Sequence, residues 1–366
     1  MATYTPFANG DEVNSIDRVF SSAWTDNTND LGTSHFSSST QYTTTEATSS
    51  GAFFMEIYNI DPDANPSTAE VQYSIAYGNK EGGGGLDFND DAGAEKISAT
   101  KAIYSQYRNL VFGGDETQNF TFDGHSPNGI YVINVNRARY KNALRLGNLA
   151  LNLSGALGGD QGLIKLTDDS VTTSGSANAI RPGVGREFNI VSGSNGVRLG
   201  GSNTAHAGSG SYGLIYPDAG FIILNGDVLD HSGSYGGNGS DYTDANPYGL
   251  FLSSSQAEDT DGRNVVKLQN ALQLGGSFIL DAQEDIASKF YFARVKNQEF
   301  NYTTNDSFTK SDGTLQYDSM IENPKVYITT VGLYNDNQDL LAVAKLSQPL
   351  PKDFTKEALI KVKLDY

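Results

Sequence analysis

The 366-residue chain contains no cysteine and no long apolar run. Without thiols, disulfide bonds, thiolate metal sites and cysteine nucleophiles are excluded. The longest apolar runs, such as residues 221–224, are far too short to cross a bilayer. The first residues lack the basic and apolar segments of a secretory signal, so we expect no such signal.

Charged residues are also scarce, at 19%, and their signs are unbalanced. The 25 lysine and arginine residues stand against 43 aspartate and glutamate residues, which gives a formal net charge of −18. A chain this acidic is poorly suited to binding nucleic-acid phosphates or an anionic membrane surface. We therefore expect no nucleic-acid partner and no membrane insertion.

The abundant residues are glycine, tyrosine and phenylalanine, with 40, 20 and 18 copies. This composition favours strands and turns, and tyrosine is enriched where proteins pack against each other. The length allows two or three domains. We predict a mainly β fold of the β-rich α+β type: a sheet-based body with one substantial helix and a Gly/Ser-rich β insertion.

Residues 1–50 form a polar N-terminal arm in this prediction. Short apolar islands interrupt it, and two of them contain Phe20 and Trp24. Either the arm is loosely ordered, or it becomes ordered by docking on a partner through these two aromatic side chains.

The first part of the body is predicted over 51–155. Turn-forming residues at 61–66 join two strands into a hairpin. The best helix candidate spans 92–111 and ends at Gly113 and Gly114. The predicted strands of this part are 51–60, 69–78, 130–135 and 149–154.

Residues 156–275 carry glycine and serine every few positions, which predicts a β-rich insertion with long loops. The dipeptide Asn195-Gly196 is a favourable hairpin turn. The second part of the body is predicted over 276–366, and its last eight residues alternate with period two. The predicted strands in both stretches are 163–166, 187–191, 213–216, 221–224, 249–252, 265–268, 289–295, 326–334, 340–346 and 359–366.

Three short motifs resemble catalytic or binding sequences but lack the required context. Residues 208–213 match G-x-G-x-x-G without a preceding strand and a following helix. Residues 124–129 resemble a nucleophile elbow, with Asn128 where glycine is needed. Residues 61–65 begin like a calcium loop, but Pro66 replaces its invariant glycine. We therefore predict no catalytic, cofactor-binding or metal-binding residue and no enzymatic activity.

Two alternatives to this prediction stay open. Paired carboxylates of a glycan hydrolase cannot be picked out among 43 acidic residues. Loop carboxylates could also hold a structural Ca²⁺, and the candidates are Asp241, Asp244, Asp259 and Asp261.

Arg137, Arg139 and Lys141 form a small basic cluster, with Arg145 close by. One interpretation is a solvated face with intramolecular ion pairs. The other is a charge-complementary contact with an acidic partner subunit.

Four stretches of the sequence carry a further signal. They are YVINVNRARYK at 131–141 with LGNL at 146–149, YFARVKNQEFNYTTN at 291–305, VYITTVGLYND at 326–336, and LLAVAKLSQPL at 340–350 running to IKVKLDY at 360–366. Together they resemble a family of virion structural proteins of tailed bacteriophages, especially the contractile-tailed, T4-like phages of marine and cyanobacterial hosts. The resemblance covers about 51–155 and 276–366, and the C-terminal stretch is its most specific part.

The resemblance implies a structural subunit of a tailed-phage virion, of the tail or baseplate type, that acts by protein–protein docking without a cofactor. Its partners would be other virion structural proteins, and it would be present as a homo-oligomer or in many copies. It would be made in the host cytoplasm and located in the virion. The interface residues that we predict are Phe20, Trp24, Arg137, Arg139, Lys141, Phe300 and Tyr302, each of which also fits ordinary packing or a solvated surface.

The alternative functions are a capsid decoration protein and a receptor- or glycan-binding module of the fibre type. A glycan-binding module would stack exposed aromatic rings on sugar faces. The candidate rings in the predicted insertion are Tyr212, Tyr216, Tyr235, Tyr242 and Tyr248.

Overall fold

A computed structural model describes residues 4–28, 30–31, 36–37, 54–83, 98–122, 124, 126–154, 163–198, 212–226, 229, 234–235, 242–243, 264–273, 276–303 and 305–365. The chain divides into two units. The small unit contains Met1–Arg18 and Asp285–Tyr366, and the large unit contains Val19–Glu284. The domain boundaries that we placed at 50, 155 and 275 stay predictions.

The elements confirm the β-rich fold class with one substantial helix. The strands are β1 Glu12–Ser22, β2 Phe36–Ser37, β3 Phe54–Tyr58, β4 Val71–Asn79, β5 Gly129–Val135, β6 Ala143–Leu144, β7 Ala150–Ser154, β8 Leu163–Asp168, β9 Ala179–Arg181, β10 Gly185–Ser194, β11 Val197–Arg198, β12 Gly213–Tyr216, β13 Phe221–Asn225, β14 Ser234–Tyr235, β15 Tyr242–Thr243, β16 Ser277–Ile279, β17 Asp281–Val295, β18 Val326–Tyr334, β19 Leu340–Lys352 and β20 Ala358–Asp365. The helices are α1 Ala99–Phe112, α2 Asn264–Gln273 and α3 Ser319–Glu322.

The large unit is built on a twelve-stranded antiparallel sheet. Its strand order is β16-β7-β8-β10-β12-β13-β5-β4-β3-β2, and β9 and β11 also pair with β10. Strands from the stretch predicted as an insertion lie inside this order, because β8 pairs with β7 and β13 pairs with β5. The described part of 156–275 therefore supplies inner strands of the sheet.

Strand β5 is buried on both faces of this sheet. Tyr131 and Ile133 belong to one hydrophobic cluster, while Ile130 and Val132 belong to a second cluster. The alternation follows from the period of a strand, in which successive side chains point to opposite faces. A strand buried on both sides is a near-continuous apolar run, as residues 130–133 are.

Local turn chemistry explains two hairpins that the sequence predicts. Strands β3 and β4 pair antiparallel, and the Asp61 carboxylate between them accepts the backbone N–H of Asp63 at 2.9 Å, so this motif is a turn. Strands β10 and β11 are joined at Asn195 and Gly196, both with positive φ, as a two-residue hairpin turn requires.

Helix α1 packs on the sheet. The Ser98 hydroxyl accepts the backbone N–H of Thr100, and Tyr104 and Val111, which share one face of the helix, are buried. Gly78 of β4 permits the close approach, because a Cβ there would lie 2.8 Å from the backbone nitrogen of Tyr104. Residues 92–97 of the predicted helix lie outside the described residues.

Helix α2 corrects one prediction. Residues 265–268 were expected as a strand, yet they lie inside a ten-residue helix. Val265, Leu268 and Leu272 are all buried, and their spacing of three and four residues is helical. The helical spacing of the buried apolar residues therefore outweighs the strand preference of the short β-branched run.

The small unit contains one sheet and one hairpin. Strand β17 pairs with β20 from Ser288 opposite Asp365 to Val295 opposite Ala358, and β1 lies on the other side of β17. Strands β18 and β19 form a separate two-stranded hairpin. The C-terminal strand alternates as predicted, with Ile360 and Val362 buried and Lys361 and Lys363 exposed.

Strand β1 corrects the prediction for the first part of the N-terminal arm. An eleven-residue strand occupies Glu12–Ser22 and joins a sheet of its own chain. Within the small unit, the Phe292 N–H donates to the Asp11 carbonyl at 2.8 Å. This part of the arm is therefore neither loosely ordered nor dependent on a partner for its strand. Residues 38–50 lie outside the described residues.

The end of α1 gives a matched pair of glycine substitutions. Gly113 has φ +72°, whereas Gly114 does not have a positive φ, and a Cβ at either position would meet nothing within 4 Å. We expect Gly113→Ala to lower the free energy of unfolding by about 1–3 kcal/mol through backbone strain alone. Gly114→Ala is the control and should change it by less than about 0.5 kcal/mol. Guanidinium unfolding followed by the fluorescence of Trp24, the only tryptophan, measures both values.

Candidate functional site

The small unit buries little apolar surface of its own. Both hydrophobic clusters in the described part of the chain consist of large-unit residues only. In the described part of the small unit, the buried apolar side chains are Phe308, Val326, Leu333, Ile360 and Val362.

The same unit exposes much apolar surface. Of the 22 large apolar side chains that are exposed among the described residues, 15 belong to the small unit. Single exposed apolar residues are normal, whereas a contiguous group of them indicates a surface that contacts an apolar partner. They are Tyr4, Phe7, Val13, Ile16, Phe300, Tyr302, Tyr317, Ile321, Tyr327, Tyr334, Leu340, Leu341, Val343, Phe354 and Leu359.

Four of these residues gather at the tip of the β18–β19 hairpin, and we call Tyr334, Leu340, Leu341 and Val343 the hairpin patch. Leu341 is 68% exposed and Val343 is 59% exposed. Tyr334 lies opposite Leu340, and both side chains come close to Gly332, which itself lies opposite Val343. Tyr4 extends the patch, since its ring centroid is 4.9 Å from that of Tyr334.

Alternation along β19 explains why the patch faces outward. Ala342 and Ala344 are half-buried and lie opposite Leu333 and Val331, which share their face of the hairpin. Val343 lies on the other face, between the two alanines, and is therefore exposed. The register shifts between Leu333 and Tyr334, and this irregularity leaves Leu341 as the additional residue on β19.

The turn at the tip holds the patch in place. The Asn335 side-chain oxygen accepts the Asp339 N–H at 2.8 Å, and the Asn335 N–H donates to the Asp339 carbonyl at 3.1 Å. These bonds close the loop between the two strands. The patch is therefore carried by an ordered turn with a polar loop and apolar flanks.

A second group of exposed aromatic residues lies in the loop that follows β17. A buried lysine, Lys352, holds this loop from beneath, with only 1% of its surface exposed. Its ammonium group donates to the Asn301 side-chain oxygen at 2.7 Å, the Asn297 carbonyl at 2.9 Å and the Asp353 carbonyl at 3.0 Å. Three acceptors match the three donors of the ammonium group.

Phe300 and Tyr302 lie on either side of the inward-pointing Asn301. Their side chains are 43% and 58% exposed, and their role in an interface stays a prediction. Phe300 has φ +53°, which is unfavourable for a bulky residue. The Tyr302 ring packs edge-on against Phe308 at 5.6 Å. The loop therefore presents both rings at the surface from a fixed backbone.

Trp24 corrects the prediction of a partner contact. It is 2% exposed, and its ring lies 4.9 Å from Phe278 and 5.6 Å from Tyr73. The indole N–H donates to the Phe278 carbonyl at 2.9 Å. Its surface is used inside the large unit, so it is not available to a partner. Phe20 is 43% exposed, with the Arg145 guanidinium 4.3 Å from its ring centroid.

The basic cluster has partners within the chain. Arg139 pairs with Glu70 at 3.0 Å, and Lys141 pairs with Glu284 at 2.6 Å. Arg137 donates to the Lys141 carbonyl at 2.7 Å and lies 4.6 Å from the ring centroid of Tyr140. This arrangement corresponds to the intramolecular alternative. Contact of these residues with an acidic partner stays a prediction.

Two tyrosines proposed for sugar stacking are buried. Tyr212 is 5% exposed and Tyr216 is 0% exposed, so neither can stack on a glycan. Tyr235 and Tyr242 lie in β14 and β15, and their side chains are outside the described residues, as is Tyr248.

The other motifs bring together no further site in the described part of the chain. No group of three or more His, Asp or Glu side chains among the described residues could hold a metal ion. Residues 208–211, His125 and the four candidate calcium ligands lie outside the described residues. The described helices include none that is long and apolar enough to cross a membrane.

Comparisons with known proteins add no relative. No family profile, curated protein or solved structure matches the chain.

Sequence reasoning missed the hairpin patch and Lys352. A signal for the patch was present, because Leu340 and Leu341 follow a polar turn and break the alternation of β19. Lys352 gave no such signal, since a lysine near a strand end is normally solvated.

Replacing Lys352 tests the support of the aromatic loop. We expect Lys352→Met to lower the free energy of unfolding by about 1–3 kcal/mol, because the Asn301 side-chain oxygen loses its donor in a buried place. The carbonyls of Asn297 and Asp353 each keep one other donor. Amide hydrogen exchange at residues 297–303 should also become faster. Lys345→Met is the control on the same strand, where the side chain is exposed, and it should leave both measurements unchanged. Unchanged exchange in Lys352→Met would contradict this role.

Proposed function

We propose that the chain is a structural subunit of a tailed-phage virion, of the tail or baseplate type. It assembles by docking the exposed apolar side chains of its small unit onto neighbouring virion proteins. The supporting observation is the concentration of these side chains in the unit with the smaller core. The sequence resemblance at 291–305, 326–336 and 340–366 falls on the same unit.

Physical reasons favour a partner on the β18–β19 hairpin. An isolated two-stranded hairpin is at best marginally stable in water. Full burial of a leucine or valine side chain contributes about 1.5–3 kcal/mol, and the hairpin patch offers three such residues. Aromatic residues such as Tyr334 are enriched in the buried centre of interfaces.

The net charge agrees with assembly of this kind. At −18, free copies repel one another and stay in solution. The hairpin patch contains no charged side chain, so burial against an apolar partner does not leave an unpaired charge. Specific docking and solubility of the free subunit are therefore compatible.

A charge placed in the hairpin patch should block incorporation into particles. Leu341→Asp would force a carboxylate into the docked interface, so we expect the chain to be lost from purified virions. The free protein should keep its circular dichroism spectrum and its unfolding midpoint, since the side chain is 68% exposed.

Ser347→Asp is the matched control, because Ser347 is exposed on the same strand and lies outside the patch. Its incorporation should equal that of the unchanged chain in quantitative mass spectrometry of particles. Normal incorporation of Leu341→Asp would contradict docking through the hairpin.

The position in the particle needs a separate experiment. Immunogold labelling of virions with an antibody against the folded chain should place gold at the tail end. Gold over the whole head would contradict the tail assignment and favour a capsid decoration protein. Particles without gold, with an antibody proven on the folded protein, would contradict the virion assignment.

A further inference from the structure

The large unit contains a polar cavity of about 430 Å³ that the docking function does not use. It lies between the end of α1, the loop at 117–121 and strands β9 and β10. Its volume falls within the ~300–1,000 Å³ that small-molecule sites typically have. Two apolar side chains line it, Phe112 and Leu214, and the other lining residues are polar or charged.

A buried carboxylate belongs to the wall of this cavity. Glu187 is 2% exposed, and its oxygens accept from the Asn178 side-chain amide at 3.0 Å and the Tyr216 hydroxyl at 2.9 Å. Burial and the neighbouring Glu187 charge raise the pKa of Tyr216 well above its usual range. The Tyr216 hydroxyl therefore remains a protonated donor, and the carboxylate is fixed.

Arg181 balances the charge of Glu187. Its Nε donates to Glu187 Oε2 at 2.9 Å, and Nη2 lies 3.4 Å from Oε1. The guanidinium carbon lies 4.8 Å from the ring centroid of Phe112. Because the carboxylate binds the Nε–Nη2 edge, the Nη1 donors point away from it, and they have no hydrogen-bond partner among the described residues.

The remaining polar side chains can both donate and accept hydrogen bonds. They are the amides of Gln118, Asn119 and Asn178 and the hydroxyls of Thr117 and Thr121. Asp115 orients two of them, since it accepts from the Thr117 hydroxyl at 2.6 Å and the Gln118 amide nitrogen at 2.9 Å. The side-chain oxygen of Gln118 has no hydrogen-bond partner among the described residues.

We propose that this cavity binds a neutral sugar residue of a glycan. Sugar hydroxyls donate and accept hydrogen bonds, as the amides and hydroxyls of the lining do. The half-buried Phe112 supplies a small apolar contact for the C–H groups of the sugar ring, while Leu214 is buried behind the wall. An ionic ligand is disfavoured, because Arg181 and Glu187 already neutralise each other. An apolar ligand is disfavoured, because it would leave the polar lining unpaired.

Saturation-transfer difference NMR on the full chain tests this proposal. The probes are the methyl glycosides of glucose, galactose, mannose, rhamnose and N-acetylglucosamine, each added separately. We expect saturation transfer to at least one of them, with a dissociation constant in the millimolar range. No transfer to any of the five would overturn the proposal.

Substitutions at the rim test the location. Gln118→Ala and Thr121→Val each remove hydrogen-bonding groups from an exposed residue, and each should weaken binding by about three- to tenfold. Gln106→Ala and Thr172→Val are the matched controls, because both residues are exposed and do not line the cavity. Equal binding by the rim variants and the controls would place the sugar elsewhere and overturn the proposal.

Sulfate and phosphate distinguish the ligand class. Either ion should fail to compete with the bound glycoside. If an ion displaces the glycoside, or binds the cavity when no glycoside does, the neutral-sugar assignment is overturned. These results do not depend on docking through the small unit, so failure here leaves the proposed structural role intact.

Discussion

Backbone pairing on both sides of β5 is the constraint on which the large unit depends. All seven residues of Gly129–Val135 pair with β4 on one side, and residues 130–134 pair with β13 on the other. Their side chains enter two different hydrophobic clusters, so a one-residue slip would exchange every side chain between the two faces. The register is therefore strongly specified. Because β10 belongs to the same sheet, the sheet also fixes the position of the cavity wall that β10 forms.

The small unit differs from the large unit in how its apolar side chains are divided between core and surface. Its described residues bury few large apolar side chains and expose fifteen, and its hairpin pairs with no third strand among those residues. The Lys352 ammonium group donates three hydrogen bonds in and beside the loop that carries Phe300 and Tyr302. A unit whose exposed aromatic residues are held in place by such hydrogen bonds is suited to contact with another protein, which is the role that we propose.

Much of the fold could be predicted because local patterns decided it. The alternation in β4 and β20, the apolar runs of β12 and β13, and the Asn195-Gly196 turn all indicate their structure without tertiary information. Helix α2 was mistaken for a strand because the short stretch at 265–268, which begins with two adjacent valines, does not by itself show a helical period. Trp24 was misplaced because its partners, Tyr73 and Phe278, are distant in the sequence.

The candidate sites were less predictable than the fold. Phe300 and Tyr302 were predicted as interface residues because aromatic residues in a polar loop are conspicuous, and this role is still a prediction. The hairpin patch depends on a register irregularity between β18 and β19, and its one sequence signal is the pair of adjacent leucines that breaks the alternation of β19. The cavity joins residues near 115 with residues near 185, and only the sheet brings them together.

Hydroxyl-radical footprinting of the free chain and of the chain in purified virions tests the central claim most directly. Our account predicts that Tyr334, Leu341 and Tyr302 lose reactivity in the particle, while exposed large-unit residues such as Ile180 keep theirs as the internal reference. Equal reactivity of Tyr334 and Leu341 in the free and particle-bound chain would contradict docking through the small unit.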